Sequence, residues 1–319
     1  MTKIGILAIE NCMQSSVTGP FDILSVASRT WQGSAPLFDL VIIADNNLPV
    51  TCFNGIQIQP HMSKQDCNDL DIIMIPVIFG DLDPILSNKR LIAWLRDQHQ
   101  KGVCICAVCA GVFLIAETGL LANRTATTHW NLADEFQTRY PDVILKPEKM
   151  LVDEGDFITA GGVTAYMDLS LYLANRFGSP DLALSLSKTL LIDPLRKSQS
   201  PYSSFRINTT HGDEQILQIQ HWMKKNAAAP ISISQLAEQA GLGQRTFARR
   251  FKKATGDTPL EHLQYLRIAN ARTLLETTST SIDDITHTIG YEDVSSFRRL
   301  FKKVTGLSPT AYRKKFSLY

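Results

Sequence analysis

Apolar and polar positions divide the chain into two regimes. Through residue 190 or so, short apolar runs of strand length at 4–9, 38–44, 72–77, 103–107 and 157–160 alternate with longer stretches. In those stretches, at 20–28, 88–100, 110–117, 130–140, 165–177 and 180–191, apolar residues recur at helical spacing. Strand and helix in alternation predict an α/β domain, a doubly wound and mainly parallel sheet with helices on both faces. Residues 193–213 lose this pattern and are rich in Ser, Pro and Thr, which predicts a linker. From residue 214 onward the strand-length runs stop and only helical spacing remains. The expected organisation is a domain over 1–192, a linker over 193–213 and an all-α domain over 214–319.

The helical region repeats itself. Phe247-x-Arg249-Arg250-Phe251-Lys252-Lys253-x-Thr255-Gly256-x-x-Pro259 recurs as Phe297-x-Arg299-Leu300-Phe301-Lys302-Lys303-x-Thr305-Gly306-x-x-Pro309, offset by 50 residues. Upstream, Leu236-x-x-x-x-Gly241 recurs as Ile285-x-x-x-x-Gly290, offset by 49, so the second turn is one residue longer. Each copy reads as helix, turn, helix. Ser234 in the first copy, and Ser281 or Asp283 in the second, are expected helix caps. Gly241 and Gly290 end those helices. The phenylalanines at i and i+4 mark a buried face. Arg245, Ala248, Arg249 and Lys252 then face outward in one copy, and Ser295, Arg298, Arg299 and Lys302 in the other. Between the copies, 258–276 reads as a helix of about 28 Å at 1.5 Å per residue. That is close to the ~34 Å between successive major-groove faces of B-DNA.

Charge sharpens this picture. Residues from His211 onward carry 16 Lys and Arg against 10 Asp and Glu, a net of +6, while the preceding residues carry −5. A basic helical module on an acidic α/β module places the expected polyanion contact in the C-terminal part. Mean hydropathy is near neutral and no apolar run approaches the roughly 18 residues that span a bilayer. No signal peptide is read at the N-terminus, so the expectation is a cytoplasmic protein with no membrane contact.

The duplicated stretch strongly resembles the AraC/XylS family of transcription regulators over residues 230–316, including Gly290-Tyr291-Glu292-Asp293 and Gly306-Leu307-Ser308-Pro309-x-x-Tyr312-Arg313. Thr286 departs from it, standing where the family usually has Ala. The resemblance implies two helix-turn-helix units on double-stranded DNA. It places Arg245, Ala248 and Arg249 at base-reading positions of the first unit, and Asp293, Ser295, Ser296, Arg298 and Arg299 in the corresponding region of the second. Arg suits guanine O6 and N7. Lys252, Lys253, Lys302 and Lys303 suit phosphates. RNA polymerase as a partner, a homodimer and an activating role follow by the same resemblance.

In the α/β region the informative segment is Ala107-Val108-Cys109-Ala110-Gly111, where a buried strand runs into a helix with small residues around a nucleophile type. This predicts a nucleophile elbow, with Cys109 exposed at the carboxyl end of the sheet and its pKa lowered by the next helix. Gly161 and Gly162, between a strand and a helix, could offer amides to an anion at the same edge. Cys104 and Cys106 read as small buried core residues, and no metal site or cofactor is expected.

Here the chain resembles the class I glutamine-amidotransferase-like (ThiJ/PfpI-type) superfamily, nearest to the sensor domains of GlxA-type AraC regulators. The resemblance rests on Gly19-Pro20-Phe21-Asp22, the elbow, Glu117-Thr118-Gly119-Leu120-Leu121, Ala126-Thr127-Thr128-His129-Trp130 and Gly161-Gly162-Val163-Thr164-Ala165-x-x-Asp168. Two departures bear on chemistry. Related hydrolases often have His directly after the elbow Cys, where this chain has Ala110. Related hydratases carry an acid three residues before the Gly-Pro pair, where this chain has Ser16. Only His129 remains as a partner for the thiol, and it reads equally as a structural hydrogen bond at a helix start. The expectation is a ligand sensor without turnover, with a small nitrogenous metabolite near Cys109, Ala110, His129, Gly161 and Gly162. The rival is a Cys-dependent amidase or hydratase carrying a DNA-binding module.

Overall fold

Each apolar run read as a strand enters one seven-stranded sheet. In chain order its strands are β1 (Thr2–Leu7), β2 (Phe38–Ala44), β3 (Met62–Ser63), β4 (Ile72–Ile75), β5 (Cys104–Val108), β6 (Leu151–Asp153) and β7 (Phe157–Ala160), and across the sheet they run β6-β7-β5-β4-β1-β2-β3. All neighbours are parallel except β6 on β7. β4 and β7 are buried at every residue, as strands covered on both faces must be. In this computed structural model every residue is described except 195, 204–206, 210 and 318–319. Its contacts part the chain into two units, Met1–Gln199 and Ser200–Tyr319.

Helices α1 (Ser15–Thr30), α5 (Tyr166–Phe177) and α6 (Pro180–Leu190) pack on one another, α2 (Lys89–Gln100) packs on the short α3 (Val112–Glu117), and α4 (Ala133–Arg139) lies between α3 and α5 in the chain. Two expectations shift here. α1 begins at Ser15, so Pro20 lies inside it rather than opening it. The edge strands β3 and β6 are too short for alternation to reveal.

The expected linker is partly built into the first unit. Arg196 bonds the Asp168 carboxylate, the Met150 amide donates to Lys197 O at 3.3 Å, and the Gln199 amide donates to Glu148 O at 2.9 Å. Residues 195, 204–206 and 210 of that span lie outside the described residues.

The second unit contains α7 (Glu214–Asn226), α8 (Ile233–Gln239), α9 (Gln244–Thr255), α10 (Pro259–Thr277), α11 (Ile282–Thr288), α12 (Val294–Thr305) and α13 (Pro309–Phe316). α8-turn-α9 and α11-turn-α12 are the two copies of the repeat. The first copy is capped by Ser232 in a capping box with Gln235, two residues before the expected Ser234. The second is capped by Ser281, as expected. Phe247, Phe251, Phe297 and Phe301 are fully buried. Removing such side chains from water contributes about 1.5–3 kcal/mol each.

α10 serves both cores. Leu263 and Leu266 join Phe247, Phe251 and Leu236, whereas Ile268, Ala271 and Leu275 join Phe297, Phe301 and Tyr312. Thr286 is fully buried, and its hydroxyl donates to Ile282 O at 2.7 Å, so the departure from Ala leaves no unpaired group.

Candidate functional site

The elbow is present. β5 ends at Val108, a single 3₁₀ turn spans Cys109–Gly111, and α3 follows. Cys109 has φ 57°, the left-handed backbone that a strand-to-helix nucleophile turn imposes on a non-glycine residue. Gly111 is required by a close approach, since a Cβ there would lie 2.4 Å from Pro76 O.

The thiol is not exposed as expected. Cys109 is only 5% accessible, and burial pushes its pKa up to about 12, against the lowering effect of the Ala110 backbone. Desolvation therefore outranks the helix N-terminus that was expected to activate it. Cys106 is buried as expected, but Cys104 is only half-buried because it opens β5 at the sheet's rim.

Cys109 and Ala110 face a cavity of about 380 Å³ beyond the carboxyl ends of β4 and β5, the edge where ligands bind in open α/β sheets. One wall is the segment after β4, including Phe79, Asp81 and Leu82, and another includes His129, Asn131 and Leu132. Glu135, Arg139 and Val163 complete it. Arg139 is engaged by Asp83 at 2.8 Å and Glu135 at 3.2 Å. His129 and Cys109 thus share one cavity, but His129 is also a helix cap, its Nδ1 accepting from the Asn131 amide at 3.1 Å. With Nδ1 so used, the neutral ring carries its proton on Nε2.

Gly161 and Gly162 do not line this cavity. The Gly161 amide donates to Met150 O at 2.8 Å, so it is not offered to an anion as expected. The physical reason is β6, whose pairing on β7 consumes that amide. Ser16, standing in place of a catalytic acid, is 3% accessible and committed twice. Its hydroxyl donates to Met13 O at 2.7 Å and accepts from the Val77 amide at 3.0 Å. Among the described residues no group of three or more His, Cys, Asp or Glu side chains is placed to hold a metal ion. The lining residues Phe79, Asp81, Glu135 and Arg139 carried no signal in the sequence, because loop and helix positions far apart in the chain meet only in the fold.

In the second unit, Arg245, Arg249, Lys252 and Lys253 are exposed on α9, with Ala248 half-buried among them. Ser295, Arg298, Arg299, Lys302 and Lys303 are exposed on α12, with Ser296 half-buried. Asp293 stands apart from these. Its carboxylate caps α12, accepting from the Ser295 amide at 3.2 Å and the Ser296 amide at 2.8 Å. Those bonds, with Ser296 foremost, hold its carboxyl below the usual range. As a group it positions the helix start, and it offers a base no donor. Arg298 pairs with Asp283 at 3.2 Å, and Arg299 donates to Ser296 Oγ at 3.1 Å.

An elbow-bearing α/β unit joined to a duplicated helix-turn-helix unit defines a two-part architecture, and the family comparisons agree with each part. Residues 2–176 match the DJ-1/PfpI family and residues 236–315 match a helix-turn-helix domain. The chain belongs to the DJ-1/PfpI family. It is similar to the HTH-type transcriptional regulator CdhR of Pseudomonas aeruginosa, 28% identical over 292 residues, which is 91% of this chain and 85% of the relative. It is also similar to the isonitrile hydratase of Pseudomonas putida, 27% identical over 231 residues, 65% of this chain and 94% of that one. Among solved structures, an AraC family transcriptional regulator from Pseudomonas putida superposes with a TM-score of 0.53 at 18% identity. It covers 60% of this chain and all of that one, a likeness of fold. Among the described residues no helix is long and apolar enough to cross a membrane.

Proposed function

We propose that this chain is a sequence-specific, DNA-binding transcription regulator, acting in the cytoplasm, whose α/β unit binds a small nitrogenous metabolite without turning it over. The observation that carries the second half is Cys109 itself. The elbow is fully formed around a thiol that is buried and whose pKa is pushed up to about 12. At pH 7 such a group stays the neutral thiol rather than the nucleophilic thiolate. Ala110 follows it where related hydrolases have His, the Ser16 hydroxyl is spent on Met13 and Val77, and His129, which shares the cavity, uses Nδ1 to cap its own helix start. The DNA-binding half is supported by the exposed basic faces of α9 and α12 and by the similarity to CdhR. A homodimer, contact with RNA polymerase and activation complete the reading, on the AraC/XylS resemblance.

The test begins with a thermal-shift screen of nitrogen metabolites against the full chain. The hit is then applied to a reporter strain carrying wild type or Cys109→Ser. A binding pocket keeps its response with the near-isosteric serine. Complete loss of response in a Cys109→Ser protein that folds and binds DNA normally overturns the non-catalytic reading. The similarity to isonitrile hydratase supports one rival, a Cys-dependent hydratase or amidase, for which turnover of isonitriles or amides by the full chain is the deciding measurement.

A further inference from the structure

Gln199, in the chain segment that leaves the first unit, makes five side-chain hydrogen bonds. It is 2% accessible, in a stretch whose composition reads as a solvated linker. Its Oε1 accepts from the Trp130 amide at 3.1 Å. Its Nε2 faces Thr128 O at 2.8 Å, Pro147 O and Lys149 O at 2.9 Å, and Thr127 Oγ1 at 3.3 Å. One donor on one side and four acceptors on the other fix the orientation of the amide, and its two hydrogens are shared among those acceptors. The backbone around it is shaped to receive it. A Cβ on Gly161 would meet Nε2 at 1.9 Å and Cδ at 2.4 Å, so this glycine makes room for Gln199.

The segment that Gln199 holds is a wall of the cavity. His129, Asn131 and Leu132 line it, Trp130 lies between them, and Thr128 Oγ1 donates to Cys109 O at 2.7 Å. Residues 127–132 are thereby fastened to the elbow at one point and to Gln199 at another. The next residue, Ser200, begins the second unit. There Arg272 of α10 donates to Ser200 O at 3.2 Å and bonds Ser203 O, and its guanidinium lies over the Tyr312 ring at 5.6 Å. Burial lowers the Arg272 pKa, yet its bonds to these carbonyls leave it well placed as an anchor. Consecutive residues of the chain are thus each anchored, Gln199 on the cavity wall and Ser200 on the helix shared by both helix-turn-helix cores.

We infer that Gln199 is the positioning residue that couples the Cys109 cavity to the DNA-reading helices. Displacement of the 127–132 wall by an occupant pulls on Gln199, and the peptide chain carries that displacement through Ser200 and Ser203 to Arg272 on α10. The direction of information rests on the sensing function proposed above. The physical link does not, and its test uses no metabolite.

Hydrogen–deuterium exchange is measured on the full chain, wild type and Gln199→Met. Methionine keeps the side chain's length and bulk but forms none of the five bonds. Exchange of the Trp130 amide is expected to rise roughly two- to tenfold, the factor an ordinary hydrogen bond is worth. A rise is expected as well across 266–275 of α10, which the substituted residue does not touch. Faster exchange at 127–132 with α10 unchanged, or no change in either, overturns the coupling. Neither outcome bears on the metabolite screen, so the two readings fail separately. Gln199→Asn, which retracts the amide by one methylene, serves where Gln199→Met does not fold, with the same outcomes. By linkage the effect is reciprocal. A random-sequence duplex bound at low salt slows or speeds exchange at 127–132 in wild type and leaves it unchanged in Gln199→Met. Equal changes in both proteins also overturn the proposal.

Discussion

The two helix-turn-helix units share a pattern but divide their charges differently. In the first unit, Arg250 turns back from the presented face to Asp213 at 2.5 Å and Gln215 at 2.6 Å, holding α9 against the start of α7. At the equivalent position the second unit has Leu300, packed at the edge of its core. In the second unit the tethered arginine is instead Arg298, paired with Asp283, where the first has Ala248. The recognition helices also start differently. α12 is capped by the Asp293 carboxylate, while α9 begins after Gly243 with no side-chain cap. A repeat therefore specifies a fold twice without specifying a charge surface twice. What the units retain in common is Arg249 with Arg299 and two lysine pairs.

The largest test of that equivalence is salt. With four lysines and two arginines on phosphates or bases, duplex affinity of the full chain is expected to fall about 10³-fold between 50 and 200 mM salt. Replacing Lys252 and Lys253 together by Ala, or Lys302 and Lys303 together, should lower the log–log slope by about 2 in either case. Unequal slope changes would show that one unit carries the backbone contact alone.

Base reading comes next. Arg249→Ala should relax sequence preference in one segment of the footprint and Arg299→Ala in the other, each costing about 1–3 kcal/mol at a contacted base pair. If both substitutions affect the same base pairs, the two units do not read separate grooves.

Smaller effects separate the helix starts. Asp293→Ala should lower the melting temperature by a few degrees. The cap's contribution also depends on pH. The folded carboxyl titrates below its unfolded value, so its stabilisation is present above the ordinary Asp range near 4 and is lost as pH falls through the lower folded value. Melting curves of wild type and Asp293→Ala should therefore converge in acid. Smallest of all, Gly243→Ser should stabilise the first unit by only a few tenths of a kcal/mol. Gly243 already has the extended backbone of a cap, and open space lies around it. A loss of stability there would mean that α9 needs a free start.

The fold was legible where its signals are local. Phe247 with Phe251 and Phe297 with Phe301 lie one turn apart, and the runs at 38–44 and 157–160 became strands of the same extent. The repeat marked the second unit because the same phenylalanines and glycines had to be present twice. The site was legible only in part. Cys109, Ala110 and His129 do share a cavity, but the burial that keeps the thiol protonated depends on segments 30 residues before and 20 after it. Gly161 was misread because its amide is taken by Met150 O, just ahead of the three-residue edge strand Leu151–Asp153, which is too short for alternation to betray it. Gln199 was missed because a glutamine among serines reads as solvated, and its five partners come from stretches 50 to 72 residues away. Ser234 was misread as a cap because Ser232 satisfies the same rule and also has Gln235 three residues on.

The helix Pro259–Thr277 belongs to two hydrophobic cores at once, and this sets how the DNA-reading part comes apart. With Leu263 and Leu266 on one side of the account and Ile268, Ala271 and Leu275 on the other, neither core is complete without it. The duplicated halves are therefore one cooperative unit, unable to melt in turn. Heat or denaturant is expected to take both in a single transition, and a chain cut ahead of this helix strips Leu263 and Leu266 from the first core while the second keeps every residue of its own.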